Sequence, residues 1–268
     1  METWLHYLAF GIVQGLTEFL PISSNAHVYL FATLLGWPEP GPAVTAVIQI
    51  GTEVAVVVYF WNELVALLRG LVGSIFSARV RETAEAHVAW GVVLGSIPIV
   101  VAGYSLRHVI ENDVRNVPLI AVMLISFGFV LLLADLVQAR RTHSAEFTPA
   151  KGLLMGFGQT LALIPGVSRS GATIAFGLFA GLERRVATRY AFLLAIPAVF
   201  GAGLLEAVSG DIEWGPTLLA TLTAFFVGLA VIAGLLRFLN QHSFKAFAWY
   251  RIGLGLFLLS GVAAGWFN

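Results

Sequence analysis

GLTEFLPISSNAH, Gly15 to His27, interrupts an apolar N-terminal region with a carboxylate, a proline, two serines, an amide and an imidazole. An ionised side chain in hydrocarbon is costly, so Glu18 in such a place marks a functional site. Pro21 lacks an amide proton and clashes with the preceding turn, so a helix arriving from Gln14 stops there. The stretch 4–36 therefore reads as two short hydrophobic arms around a polar break. A second stretch, 152–181, has the same form around PGVSRSG at 165–171. Broken backbone at membrane depth survives only where protein or a water-filled cavity surrounds it. Both stretches are expected to form re-entrant helix pairs.

The rest of the chain agrees with a membrane setting. Of 268 residues, 58% are hydrophobic and 11% charged, and the mean hydropathy is +0.87. A soluble domain carries about 25% charged residues, so a water-facing surface cannot be built here. Crossing a bilayer takes about 20 mostly apolar residues. Six stretches meet this: 43–61, 88–106, 117–137, 189–206, 216–236 and 246–267. Short polar connectors separate them, among them VRETAEAH (80–87), RHVIENDVRN (107–116), ARRTHSAEF (139–147) and SGDIEWGP (209–216). The expected fold is all-α: one polytopic membrane domain over 1–268, with six full transmembrane helices plus two re-entrant helix pairs. No cysteine is present, which excludes disulfides, thiolate metal sites and a cysteine nucleophile. A net charge of zero argues against a nucleic-acid partner. The opening METWLHYLAF lacks a basic n-region, so no removable signal peptide is expected.

The two halves, about 1–137 and 150–268, look alike. Gln14 and Glu18 precede Pro21 and Ser23-Ser24, while Gln159 precedes Pro165 and Ser168-Arg169-Ser170, with a one-residue slip at the prolines. Each half has one broken pair and three spans. Three is odd, so the second half enters from the opposite side, giving an inverted-topology repeat whose breaks meet near mid-membrane. Arg69, Arg79, Arg81, Arg140, Arg141, Lys151, Arg184, Arg185, Arg189, Arg237 and Lys245 fall on the face reached after the first span. Only Arg107 and Arg115 fall on the other. Cytoplasmic loops carry the basic excess, so the first broken pair opens to the outside or periplasm.

The chemistry sits in the breaks. Gln14 and Glu18 are four apart and share a helix face. Past Pro21 the chain presents Ser23, Ser24 and His27. Unpaired N–H groups at a helix start suit an anion, and histidine moves protons near neutral pH. In the second break Arg169 offers a planar fork that matches phosphate oxygens. Ser168, Ser170 and Thr173 flank it, and Gly166 and Gly171 let backbone come close. A structural ion pair between Glu18 and Arg169 is the plainer reading, yet it leaves the hydroxyls unexplained. A carboxylate, hydroxyls, an imidazole and a guanidinium together equip a pocket for phosphoryl transfer. A pocket inside a bilayer implies a substrate with a long apolar tail and a phosphate head. Trp61, Trp90, Trp249, Tyr250 and Trp266 fall near span ends, as interfacial belts do. GLGLFLLSG (253–261) suits close helix packing within the chain or a homodimer. His6, His87, His108, His143 and His242 read as solvated surface.

The QGLTEFLPISS run with His27, and the PGVSRSGAT run at 165–173, resemble the two signature segments of the undecaprenyl-diphosphate phosphatases of the bacitracin-resistance type. The likeness extends over essentially the whole chain, including VIQIG at 47–51. It implies hydrolysis of undecaprenyl diphosphate to undecaprenyl phosphate and inorganic phosphate in a bacterial cytoplasmic membrane, among membrane lipids, which recycles the carrier of cell-wall precursors. It implies catalytic roles for Glu18, Ser24, His27 and Arg169. Arg169 holds the diphosphate, Ser24 is nucleophile or phosphate ligand, and His27 acts as base and then acid. Glu18 binds a divalent cation (Mg²⁺ or Ca²⁺) or orients the proton acceptor. Gln14, Ser23, Gly166, Ser168, Ser170 and Thr173 would bind substrate. The chain departs from the pattern at Asn25-Ala26, where the family has Thr- or Ser-Gly, and at Glu53, where it has a small or apolar residue. Gln14 is allowed by the pattern but cannot ionise. A lipid-phosphate flippase using the same pocket is the competing expectation.

Overall fold

A computed structural model describes residues 2–106, 116–140 and 146–266. Parts of the connectors 107–116 and 139–147, with Arg107, His108, Arg115, Arg141 and His143, lie outside the described residues. The described helices are α1 (Glu2–Thr17), α2 (Ser24–Leu35), α3 (Pro42–Tyr59), α4 (Trp61–Phe76), α5 (Ala78–Arg81) and α6 (Ala84–Ser105), followed by α7 (Val117–Ala139), α8 (Pro149–Thr160), α9 (Arg169–Phe179), α10 (Arg184–Ser209), α11 (Trp214–Phe238) and α12 (Lys245–Ala263). A 3₁₀ turn, Leu161–Leu163, continues α8. No strand occurs among the described residues.

Six of these helices, α3, α6, α7, α10, α11 and α12, are long and apolar enough to cross a membrane. They are the six expected spans, with ends moved by a few residues. The chain is an all-helical integral membrane protein. Large apolar side chains stand on its outside, among them Val72, Val100, Leu133, Leu222 and Phe226, where they need hydrocarbon and not water around them.

Local chemistry sets the ends. Pro42, Pro118 and Pro149 open α3, α7 and α8, where a missing amide proton costs nothing. Thr83, Asn116 and Thr148 accept from the amides of Ala86, Leu119 and Lys151, satisfying donors that a helix start leaves bare. Gly36, at φ 64°, ends α2 in the left-handed conformation that costs glycine nothing.

Both broken stretches are helix–break–helix: α1 and α2 around 18–23, and α8 and α9 around 164–168. The main packing partners exchange when the halves are exchanged. Helix α1 lies on α11, as α8 lies on α6. Helix α11 packs on α3, as α6 packs on α10, while α7 pairs with α12 and α3 with α10. The first arm of each pair is fixed by small residues. A methyl at Gly11 or Gly15 would strike the backbone of Ala220 or Ala224. A methyl at Gly152 or Gly156 would strike the backbone of Gly91 or Gly95. Small residues four apart are how helices approach closely in lipid. The glycine face on α12 is used the same way, with Gly255 against Ala121 of α7, whereas Gly253 faces open space.

The six spans leave 62–79 unaccounted for, and α4 occupies most of it. Asn62, Glu63 and Arg69 keep it from reading as a span. It lies on α6, with Gly70 against Ala86 and the Trp90 Nε1–H donating to Ser74 Oγ at 2.9 Å. Trp90 therefore has a partner inside the protein.

Candidate active site

Helix α1 ends where Pro21 forbids another turn. The Glu18 amide still bonds the Gln14 carbonyl at 2.9 Å, so both side chains leave the same face one turn apart. Helices α2 and α9 then begin in the same unusual way. Ser23 (φ 77°) and Ser168 (φ 71°) precede them and are the only non-glycine residues at positive φ among the described residues. Each such residue stores about 1–3 kcal/mol and persists only where its surroundings hold it. Counted from these serines the two halves fall in step. Gln14 and Gln159 each lie nine residues before, and the slip is confined to the prolines. Ser24 opens α2 and Arg169 opens α9, so they are equivalent positions. Leu163 stands where the first half has Glu18.

These elements bring three of the four expected catalytic side chains together. The Ser24 hydroxyl donates to Glu18 Oε2 at 2.6 Å, and the Gln14 amide donates to the same oxygen at 2.6 Å. Arg169 Nη2 lies 3.8 Å from Glu18 Oε1. Glu18 is almost wholly buried, whereas Arg169 is about one-fifth exposed, its side chain at 22%. A narrow cleft runs between the breaks, lined by Glu18, Ser23, Ser24 and Asn25 from one half and Gly166, Ser168 and Arg169 from the other.

The other expected residues divide. Ser170 donates to the carbonyls of Glu18 and Leu20, both at 3.1 Å, and so joins the two breaks. Ser168 caps α9 by accepting from the Gly171 amide. Thr173 donates to the Arg169 carbonyl at 2.7 Å. Ser170 and Thr173 thus hold backbone. Gly166, at φ 92° and pressed on the Ile120 carbonyl, allows the second break to turn. His27 is turned away from Glu18. Its Nδ1 lies 2.8 Å from the Ser23 carbonyl and its Nε2 2.7 Å from the Tyr250 hydroxyl on α12. Tyr250, expected in the interfacial belt, has this specific partner instead.

Two residues at the site were missed from sequence. Gln49 of α3 accepts from Arg169 Nη2 at 3.0 Å and donates to Asn25 Oδ1 at 3.4 Å. The substituted Asn25 is thereby tied to the guanidinium. Ala26, beside it, is fully buried against Leu124 and Leu258. Arg251 of α12 is fully buried. It donates to the carbonyls of Pro21 in the first break, at 3.1 Å, and of Gly166 and Val167 in the second, at 2.9 and 2.8 Å. A further bond of 3.4 Å reaches Leu124. One guanidinium therefore staples both breaks. The signal was available, since a lone cation within an apolar span is functional by default.

Six membrane-length helices around a cleft with an acid–hydroxyl pair on one wall and a guanidinium on the other define a class: helical integral membrane proteins with a polar cleft between two helix breaks. The chain belongs to the bacitracin resistance protein BacA family, whose sequence model matches residues 7–257. It is similar to the undecaprenyl-diphosphatase of Nocardioides sp., 47% identical over 99% of this chain and 98% of that one. The undecaprenyl-diphosphatase 2 of Streptomyces avermitilis is 45% identical over 98% and 96%. The undecaprenyl-diphosphatase of Pseudarthrobacter chlorophenolicus is 47% identical over 96% and 97%.

Proposed function

We propose that the chain hydrolyses undecaprenyl diphosphate to undecaprenyl phosphate and inorganic phosphate, from a cleft open to the outer face of a bacterial cytoplasmic membrane, and so recycles the lipid carrier of cell-wall synthesis. Near-full-length likeness to relatives named for this activity supports the reaction. The basic residues on the opposite connectors support the orientation, and the exchange of packing partners between halves supports an inverted repeat with two re-entrant pairs.

One observation carries the mechanism: Ser24, Glu18 and Arg169, drawn from two different breaks, form a continuous chain of contacts. Ser24 Oγ attacks the terminal phosphorus while its proton passes to Glu18 Oε2, the geometry of a nucleophile beside its base. The bond from that phosphorus to the bridging oxygen breaks, and the lipid phosphate leaves with the electron pair. Arg169 and the amides at the start of α2, which has no side-chain cap, face the charge that develops. Glu18 passes the serine proton to the departing lipid phosphate. Water then attacks the phosphoserine phosphorus, the restored Glu18 carboxylate takes the water proton and hands it to the leaving Ser24 Oγ, and inorganic phosphate is released. His27, held by Tyr250, positions α2. A flippase has no use for a hydroxyl held 2.6 Å from a carboxylate.

The donor set at the cleft suits a divalent cation. Glu18 and the serines offer oxygen, and Gln14, bonded to Glu18, has its Oε1 buried without a hydrogen-bond partner. Glu18 and that amide oxygen would hold Mg²⁺ or Ca²⁺, which favour oxygen ligands. Among the described residues no three His, Asp or Glu converge, so water and phosphate oxygens would have to supply the remaining ligands. When bound, the cation neutralises charge on the diphosphate.

The test is phosphate release from a C55 isoprenoid diphosphate by purified protein, with and without Mg²⁺ or Ca²⁺. Arg169→Ala should lower the rate at least a hundredfold, matching about 3 kcal/mol for a lost charge-stabilising donor. Protein that binds the lipid and releases no phosphate refutes the reading.

A further inference from the structure

We propose that Glu53 is the second carboxylate of the cation site, in the place of the charge that Gln14 lacks. Two helices carry the same pattern: QGLTE at 14–18 at the end of α1 and QIGTE at 49–53 on α3. In each, glutamine and glutamate are one turn apart and share a face. Gln49 already fixes which way the α3 face points, because it bonds both Arg169 and Asn25. Glu53 follows one turn further along that face, the face that Gln49 turns to Arg169.

Glu53 is 2% exposed, and its Oε1 is buried without a hydrogen-bond partner. Buried carboxylates are paired or bind metals. Arg169 cannot serve both acids alone, since its Nη2 is already committed to Gln49 and lies 3.8 Å from Glu18. Arg251, the other guanidinium nearby, spends its donors on four carbonyls behind the breaks. With both acids ionised, two carboxylates and one available guanidinium leave a negative site, before a diphosphate adds more negative charge. The buried Oε1 atoms of Glu53 and Gln14, which lack hydrogen-bond partners on two helices in contact, are what a hard cation requires. An octahedral ion held by two carboxylates keeps its remaining positions for water and phosphate oxygens.

The inference rests on the cation dependence proposed above, and its test separates the two. Full-length protein in detergent is titrated with Mn²⁺ alone, followed by electron paramagnetic resonance of the free ion and by the thermal unfolding midpoint. Wild type should bind Mn²⁺ and gain stability. Glu53→Gln, which keeps the shape and removes the charge, should weaken Mn²⁺ binding at least tenfold and abolish the stabilisation. In EDTA the same variant should unfold no earlier than wild type, because a desolvated negative charge has gone. Glu53→Asp should retain weakened binding. Wild-type Mn²⁺ affinity in Glu53→Gln overturns the assignment of Glu53 alone. Earlier unfolding of that variant in EDTA, with the Mn²⁺ response intact, makes Glu53 a partner of Arg169 and overturns it as well. Wild type that neither binds nor responds to Mn²⁺ overturns the cation requirement and the assignment together.

Discussion

Removing Arg251 should separate the two breaks without touching the side chains of Glu18, Ser24 or Arg169. It donates short bonds to three carbonyls, one in the first break and two in the second. A buried acceptor left unpaired costs about 1–3 kcal/mol, so three cost about 3–9 kcal/mol in an Arg251→Met variant. Against this, the desolvation of a buried guanidinium, several kcal/mol, is no longer required. The net expectation is a loss of about 2–4 kcal/mol. Arg251→Lys keeps the charge but not the fork, and one ammonium cannot serve both breaks from a single stem.

The functional effect should be larger than the effect on stability. Ser24 and Glu18 belong to one break and Arg169 to the other, so catalysis needs the relative placement that Arg251 supplies. A displacement of about 1 Å can cost a hundredfold. Arg251→Lys should lower kcat about a hundredfold with little change in KM, because the lipid tail and Arg169 still bind. The assays are thermal unfolding in detergent and steady-state phosphate release. An Arg251→Lys protein with kcat within twofold of wild type refutes the staple.

Three further outcomes are expected. Ser24→Ala should lose roughly a thousandfold or more in phosphate release, on the scale of a removed nucleophile, whereas Tyr250→Phe should lose about fivefold, the worth of one hydrogen bond of about 1 kcal/mol; comparable losses would return His27 to the chemical step. Gly156→Leu should give no folded protein by size-exclusion chromatography, since its side chain meets the Gly95 backbone, while Gly253→Ala, which meets nothing, should behave as wild type; equal yields would refute the glycine crossing. The chain has no cysteine and Asn25 is exposed, so an Asn25→Cys protein should react with a membrane-impermeant thiol reagent from outside intact cells; reaction only after lysis would reverse the orientation.

The legible parts of this protein are those written in runs. Six spans and two interrupted stretches follow from hydropathy summed over about 20 residues, and single polar residues do not obscure them. The same summation hides what matters singly. Arg251 is one charge in an apolar window of 22 residues, 246–267, and the window passed it over. Gln49, uncharged, drew no attention inside VIQIG although it links Arg169 to Asn25. Helix α4 escaped because it is too polar to be a span and too apolar to be a connector. The positive φ angles at Ser23 and Ser168 had no signal, since serine seldom adopts them and glycine would ordinarily mark the place. Ser170 and Thr173 were legible as hydroxyls beside Arg169, but only coordinates show that they are committed to backbone carbonyls.

If the two halves are an inverted repeat, as proposed, the asymmetry of the site gives that repeat a use. Equivalent breaks bring two helix starts to one cleft, and each start favours an anion. Had the halves stayed identical, the cleft would bind a diphosphate and do nothing to it. The residues at equivalent positions have instead separated into opposite roles. In the proposed mechanism Ser24 is the nucleophile and Arg169 the charge stabiliser, and Glu18 has no counterpart, because Leu163 occupies its place. A carboxylate at 163 would add a further negative charge to the break that carries Arg169 and compete for it. Leu163→Glu should therefore weaken diphosphate binding more than it disturbs folding, seen as a raised KM at an unchanged unfolding temperature. An unchanged KM would mean that the second half contributes only its guanidinium, and that the divergence of the two halves has no electrostatic purpose.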